Sequence, residues 1–555
     1  VRYAGSSWEF PRAGWEEMKR KKLLYTLGLS LLICTGGCSA GTAAVPEKPA
    51  EAVQTAVEVT EPAGEPVFVN EAPEPVASVF DSSDPYASET KVMGMLDPFM
   101  IRLMQKVFSA EGNHIFSPMS LILALSMAEN GTAGVTRAEI ESTLGISTDD
   151  LNQLMKRYLP EMNYEYGIDF YTGNSLWFNT DNGLTLKASY LDHLREYYDA
   201  AVFERSFADK TALAQEVNDW TKEKTDGSIP EILQADDLDQ TDPMLLLNAL
   251  AAGGKWMIRF QPELTSPQTF HNADGSESTV SMMRQSMEGW WHDSLSEGVV
   301  LYLENGLEFT AILPNEGVTV DEYLAQADPE MIMNYYKGFI STENEDQQTW
   351  TADVHITNLS LPKYNYNAEY ELDAVLKELG IQRMFTVGYA DFSEMAEGDP
   401  GVVSQIYVKK IRQKADIEVN EEEVRASAAT VVMGGLGAGG YNVRNYIYHD
   451  VVFDRPFIFL LSKGRIPLFA GVVSGLEDTG ESVSDSRIMR IEVTADAGLN
   501  VRSGPDVSNE KYYTAAKGTQ FYAYETRENG GYTWYRIGND QWIADQDNEW
   551  IKVLK

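Results

Sequence analysis

The chain has 555 residues, 43% hydrophobic and 11% aromatic, which excludes a disordered polymer and calls for two or more folded units. Its formal net charge of −40, from 84 acidic against 44 basic side chains, excludes nucleic acid as a partner, because phosphate recognition needs Lys and Arg gathered on one face. The same charge suits a soluble, extracellular surface.

Residues 1–17 read as an over-extended start: Trp15, Glu16 and Glu17 are what a purine-rich ribosome-binding site would spell if translated. From Met18, basic Lys19, Arg20, Lys21 and Lys22 precede a short apolar run, Leu23 to Ile33, then small residues and Cys38. That is the anatomy of an export signal over 18–38, and the run is short for a stop-transfer helix. Cys34 and Cys38 are the only cysteines; with Cys34 lost in the signal, no disulfide is available. Residues 39–88 are acidic and rich in Ala, Pro, Glu and Val, without a sustained period, which predicts an extended tether.

A globular pattern begins near residue 89. "DPFMIRLMQKVF" predicts an amphipathic helix with Phe99, Leu103 and Val107 on one stripe, and "SLILALSMAEN" a buried one. "LTLKASYLDHLREYYDA" and "AEYELDAVLKELGI" predict further helices; "GVVLYLE", "EFTAILP", "VHITNLSLPKY" and "DVVFDRPFIFLLS" predict strands. Helices and strands in mixed, non-alternating order give an α+β fold over 89–475. A Ser/Asp/Glu/Gly linker, 476–486, leads to a β-rich unit of short strands and turn signals over 487–555.

The six histidines (His114, His193, His271, His292, His355, His449) show no metal-site spacing, and no GxSxG elbow, phosphate loop or GxGxxG after a strand is present. A protein without metal or cofactor, and not an enzyme, is expected; an unrecognised hydrolase is disfavoured. The "GGLGAGG" run lacks the strand-to-helix context and Lys of a phosphate loop and reads as a flexible tip.

Three resemblances add to this. Cys38 directly after Gly36 and Gly37 resembles a bacterial lipobox, with Thr35 where Leu is usual. It implies a lipidated Cys38 and membrane contact only through that anchor, on the extracellular face of a bacterial membrane; ordinary signal cleavage and secretion is the alternative. The second covers about residues 90–475 and resembles the serpin family. Its motifs come in the family's order: "NHIFSPMSLILALSMAENGTAGVTRAEI" (Asn113–Ile140), "NSLWF" (Asn174–Phe178), then Asn218, Trp220, Thr225, Gly227 and Ile229. Asn248, Gly254, Trp256, Phe260 and Pro262 follow, then Leu361, Pro362, Lys363, Leu372, Leu376 and Gly380. Phe453, Pro456, Phe457, Phe469 and Gly471 close the series. "IYVKKIRQKADIEVNEEE" is similar to the strand entering the serpin reactive loop, through Lys414, Ala415, Glu418, Val419, Asn420, Glu421 and Glu422.

The resemblance implies large mixed β-sheets, about nine helices, an exposed reactive loop, and suicide inhibition of a serine protease, in a chain that is a monomer. The target cuts the loop and forms an acyl-enzyme, and the loop's N-terminal half inserts into the sheet. The implied hinge is Glu421, Glu422, Glu423, Val424, Ala426, Ala428 and Thr430. Alternation then puts small or β-branched Val424, Ala426, Ala428 and Thr430 inward, and Arg425, Ser427 and Ala429 toward solvent. A one-residue slip would bury Arg425. Glu423 stands where the family keeps a hinge Gly, Val424 where it keeps Thr, and Gln413 where it keeps His. The scissile region is Leu436, Gly437, Ala438, Gly439, Gly440 or Tyr441. Counting from Glu421 gives a cut after Gly437, and counting back from Phe453 one after Gly439. Gly/Ala suits an elastase- or subtilisin-like target; Leu436 or Tyr441 suits a chymotrypsin-like one.

In the third resemblance, Leu499, Asn500, Val501, Arg502, Ser503, Gly504 and Pro505, with Trp534, Tyr535 and "QWIA" (Gln541–Ala544), are similar to bacterial SH3-like domains. This implies a small all-β barrel binding peptidoglycan or wall peptide through exposed aromatics, or one in which Trp534 and Trp542 are core. The alternative reading of the whole is a wall-binding or adhesive lipoprotein whose serpin domain no longer inhibits.

Overall fold

The computed structural model describes residue 68 and residues 73–81, 83–108, 111–164, 169–225, 227, 229–288, 290–326, 351–424, 443–463, 466–480, 489–523, 525–538, 541–547 and 549–554. Helix α1 (Pro118–Glu129) shows how local chemistry starts an element. The Ser117 hydroxyl accepts from the Ser120 N–H at 3.0 Å, and Pro118 occupies the first turn, where no N–H is needed. Its residues are buried almost all round, as their lack of charge predicts. Helices α2 (Gly134–Leu144) and α3 (Thr148–Tyr164) follow; α4 (Lys210–Lys224) is capped by Asp209, whose side chain accepts from the Ala212 N–H.

Ten strands position the site. They are β1 (Asp169–Asn179), β2 (Ala201–Arg205), β3 (Met244–Lys255), β4 (Thr351–Pro362), β5 (Tyr364–Glu371), β6 (Arg412–Val419), β7 (Glu423–Val424), β8 (Val443–Val452), β9 (Met489–Val493) and β10 (Gln520–Ala523). One sheet has the order β7-β3-β1-β2, and β5 pairs with β6 in a separate two-stranded ribbon. A third sheet lines up β8, β4, Glu277–Glu288 and Ser266–His271, and a six-stranded sheet holds the apolar strands Phe457–Lys463 and Ile466–Val473.

The main core joins α1 to these sheets through residues such as Phe116, Ile122, Leu250, Phe309, Phe457 and Phe459. Strand β3 divides its faces by parity. Leu246, Leu250 and Ala252 pack on the main core; Leu245 and Leu247 join a smaller cluster with Trp177 and Val217 of α4. In β6, Gln413, Ala415, Ile417 and Val419 are buried, with Lys414, Asp416 and Glu418 exposed between them.

Two predicted helices start later than expected. "AEYELDAVLKELGI" enters as the end of β5 and turns helical only at Asp373, and "LTLKASYLDHLREYYDA" only at Ala188. The segment read as tether closes onto the domain before it ends. The Val79 and Phe80 N–H groups donate to the Asp150 carboxylate at 2.8 and 2.9 Å, and Phe68 lies 5.2 Å from the Tyr389 ring.

Residues 489–554 build a three-stranded and a five-stranded sheet around Ile491, Val493, Val501, Tyr535 and Ile543. Trp534 and Trp542 are buried core, whereas Tyr512 and Tyr513 are exposed. Among the described residues, no helix is long and apolar enough to cross a membrane.

Glu129, at the end of α1, is fully buried, and neither carboxyl oxygen makes a hydrogen bond. Burial, then the neighbouring Glu141 carboxylate, pushes its pKa up to about 8; Thr148 and Arg137 only partly oppose this. The folded state therefore holds a proton that the unfolded chain releases near the ordinary glutamate value of 4.5. This contribution is fully present below that value and is lost as pH rises toward the folded pKa, by on the order of a few kcal/mol in all. Glu129→Gln removes the titration. Thermal melts should show little difference from the unaltered chain at pH 5 and a higher melting temperature, by several degrees, at pH 8; equal gains at both values would refute the account.

Candidate functional site

The site is a parting in what would otherwise be one continuous sheet. Strands β3 and β6 lie in separate sheets, and a cavity of about 130 Å³ between them is lined by Leu121, Ala124, Leu246, Asn248, Ile411 and Gln413, among others. At its upper end β7 pairs antiparallel with β3, Glu423 opposite Lys255 and Val424 opposite Gly254. Gly254 has no room for a side chain: a Cβ there would lie 2.5 Å from the Asn305 amide, which donates to the Gly253 carbonyl.

Each side of the parting is pinned to α1. On the β6 side, Gln413 bonds the Ser117 backbone twice, accepting from its N–H at 2.8 Å and donating to its carbonyl at 2.9 Å. On the β3 side, the Ser120 hydroxyl donates to Asn248, whose amide donates in turn to Asn174 of β1 at 2.7 Å. All these groups are buried or partly buried, so parting the strands further would leave polar atoms unpaired.

The hinge is locked where β6 turns toward β7. The Trp256 indole N–H donates to the Asn420 carbonyl at 2.8 Å, and the Glu422 N–H donates to the Asn420 side chain at 2.9 Å. Backbone N–H groups of Phe260 and Trp256 reach the Glu421 and Glu422 carbonyls at 3.2 and 3.4 Å. The Glu421 carboxylate accepts from Thr265 at 2.9 Å and pairs with Lys363 at 2.8 Å. Burial alone would raise the Glu421 pKa; Lys363, its own backbone N–H and Thr265 outweigh this and hold it below the usual value. The ion pair is therefore intact at neutral pH and lost as pH falls through that lowered pKa.

Of the expected hinge residues, Glu421, Glu422, Glu423 and Val424 thus meet at the top of the parting. Glu423, where a glycine was expected, is in strand conformation, a backbone that any side chain adopts without strain. Ala426, Ala428, Thr430, Leu436, Gly437, Ala438, Gly439, Gly440, Tyr441 and Cys38 lie outside the described residues. Sequence reasoning missed the Lys363–Glu421 pair and the Trp256–Asn420 bond, although all four residues stood within quoted motifs. It also read the histidines as scattered. The fold brings His355 Nδ1 to 2.8 Å from His449 Nε2, and stacks Trp290 on His449 at 3.7 Å and on His292 at 4.5 Å. Among the described residues this makes no group of three metal ligands.

Strands β3 and β6 thus stand apart, with Glu423 and Val424 paired to β3 at the top of the gap. The profile of the serpin (serine protease inhibitor) family matches residues 96–475, and the chain belongs to that family. Plasminogen activator inhibitor 1 of Neovison vison is 26% identical over 397 residues, covering 70% of this chain and 93% of that protein. Neuroserpin of Mus musculus is 27% identical over 382 residues, covering 67% and 88%. Among solved structures, the thermophilic serpin tengpin in its native state matches with a TM-score of 0.60 at 27% identity, covering 73% of this chain and 98% of that one.

Proposed function

We propose that this protein inhibits serine proteases by inserting its cut loop between β3 and β6. The observation that carries the reading is the seating of Glu423 and Val424 on Lys255 and Gly254 at the top of a parting that no other described strand fills. The protease serine attacks a carbonyl between Leu436 and Tyr441; an ester forms, the peptide bond breaks, and the new amine leaves on the C-terminal fragment. Continuing the present register, Ala426, Ala428 and Thr430 follow Val424 in the row that faces Gly254, Ala252, Leu250 and Asn248. The main core then receives small, uncharged side chains, and Arg425 stays with solvent. Strand addition supplies the driving force, and a seated hinge shortens the step that must outrun hydrolysis of the ester. The Gly/Ala-rich tip favours elastase- or subtilisin-like targets.

The finer reading has the protein lipidated at Cys38 and held outside a bacterial cell, with residues 487–555 as an SH3-like unit binding wall peptide through exposed Tyr512 and Tyr513. The test is incubation of the full chain with pancreatic elastase, subtilisin and chymotrypsin. An SDS-stable complex with at least one of them, and a released fragment whose mass begins between residues 437 and 442, is the expected result. Cleavage without a complex for all three would favour the non-inhibitory adhesive lipoprotein instead.

A further inference from the structure

Among the described strands, β8 pairs with β4 alone and forms the edge of its sheet. One face of β8 carries His449, opposite Thr357, and His355 lies diagonally across the ladder, opposite Ile447. The two rings are within 8° of parallel, with His355 Nδ1 2.8 Å from His449 Nε2. Trp290 adjoins Trp291–His292, the edge strand of the six-stranded sheet, and stacks on both His449 and His292. Its indole N–H donates to Glu297 at 3.3 Å. On the other parity of β8, Asp450 pairs with Arg490 of β9, and the Tyr448 hydroxyl accepts from the Gln520 N–H of β10 at 2.7 Å. His449 thus stands between the two residues of β8 that the C-terminal unit grips.

Two ring nitrogens at 2.8 Å share a single hydrogen. The neutral pair meets this with one N–H facing one lone pair. A pair with one positive charge still does, imidazolium donating to imidazole. A second proton puts hydrogen on both facing nitrogens, and the bond becomes a clash of two cations. The charged groups facing His449 are His355 on β4, His292 beyond Trp290, and Asp450 on its own strand. Burial, then His355 and His292, hold the His449 pKa below its ordinary value, and Asp450 does not outweigh them. The stability this pair contributes is present above the unfolded histidine value and lost as pH falls through the folded one. Burial alone would raise the Asp450 pKa; Arg490 and Asn358 outweigh it and hold it below the usual value. The Asp450–Arg490 pair therefore keeps its charge while the histidines titrate.

We propose that His355 and His449 form an acid-sensitive clasp that sets how firmly the C-terminal unit is held on the serpin domain. With both rings charged, the edge strand β8 shifts against β4, and the Tyr448 and Asp450 contacts on its other face lose their alignment. The clasp uses no residue of the reactive loop and stands whether or not the protein inhibits a protease.

The test is hydrogen exchange of the full chain at pH 7.5 and pH 5, read by mass spectrometry and corrected for the intrinsic effect of pH. Peptides covering β8, β9 and β10 should exchange at least about fivefold faster at pH 5, and α1 less than about twofold faster. In the double variant His355→Asn with His449→Gln, amides replace the facing nitrogens and gain no proton, so the acceleration should fall below about twofold. The single variants His355→Asn and His449→Gln, each limited to one charge, should do the same, which keeps the test open if the double variant folds poorly. His292→Gln leaves the pair in place and should keep the acceleration. No acceleration in the unaltered chain, or an equal one in the variants of the pair, would overturn the clasp. Acceleration confined to β8, without β9 and β10, would overturn its hold on the C-terminal unit.

Discussion

Replacing Val424 by Arg is expected to turn the protein from a trap into a substrate. The loop is still cut, but SDS-stable complex should fall at least tenfold per cleavage event. Residue 424 stands opposite Gly254, in the row of Ala252 and Leu250 that packs on the main core. A guanidinium on that row is turned toward the apolar core, and burying an unpaired charge costs several kcal/mol or more. Each ~1.4 kcal/mol on the insertion barrier slows it tenfold relative to hydrolysis of the acyl-enzyme. Parity supplies the control: Ser427→Arg, on the opposite face of the same strand, should leave the ratio of complex to cleavage within about twofold. The reverse pattern, harm at 427 and none at 424, would show the register to be off by one residue. Gel densitometry with a protease in excess measures both.

The second large effect is at Trp256. Its side chain is buried against Phe260 and Phe309, with ring centroids 5.8 and 5.5 Å away, and its N–H bonds the Asn420 carbonyl. Trp256→Ala should cost about 3–5 kcal/mol from lost contacts and the cavity left behind, a fall in melting temperature on the order of 5–10 °C. Trp256→Phe keeps most of the packing and loses the bond to the hinge, which is worth about 1 kcal/mol. The two variants separate core from lock. If the phenylalanine form melts as the unaltered chain does, yet its hinge is cut faster at Asn420–Val424 by a non-target protease, the lock acts on the loop and not on the fold. Equal hinge cleavage in both would leave the Trp256–Asn420 bond without a role in holding the loop.

Much of this molecule was legible locally. The alternation of β6, buried Gln413, Ala415, Ile417 and Val419 against exposed Lys414, Asp416 and Glu418, can be read from residue types alone. The Ser117–Pro118 start of α1 and the break after Gly475 are equally local. The late start of the helix at Asp373 was misread because charge and Leu spacing near residues 372–379 outweighed the alternating Tyr364, Tyr366 and Tyr370 that belong to β5. Glu423 stands where the family keeps Gly, a difference that the letters alone do not interpret. In the fold, that position is a strand opposite Lys255, where glycine's extra freedom is not used.

By itself, the sequence determined the family and a segment, Val424 to Thr430, whose alternate side chains are small or β-branched. These follow from residue type and from periods of two to four residues, which the chain carries wherever it folds. Tertiary structure alone decided that Glu421 meets Lys363, that Gln413 bonds Ser117 across 296 positions of sequence, and that Arg490 reaches Asp450. Such pairs are set by which strands the topology lays side by side. No local period records that choice, because the partners become neighbours only when distant segments close on one another.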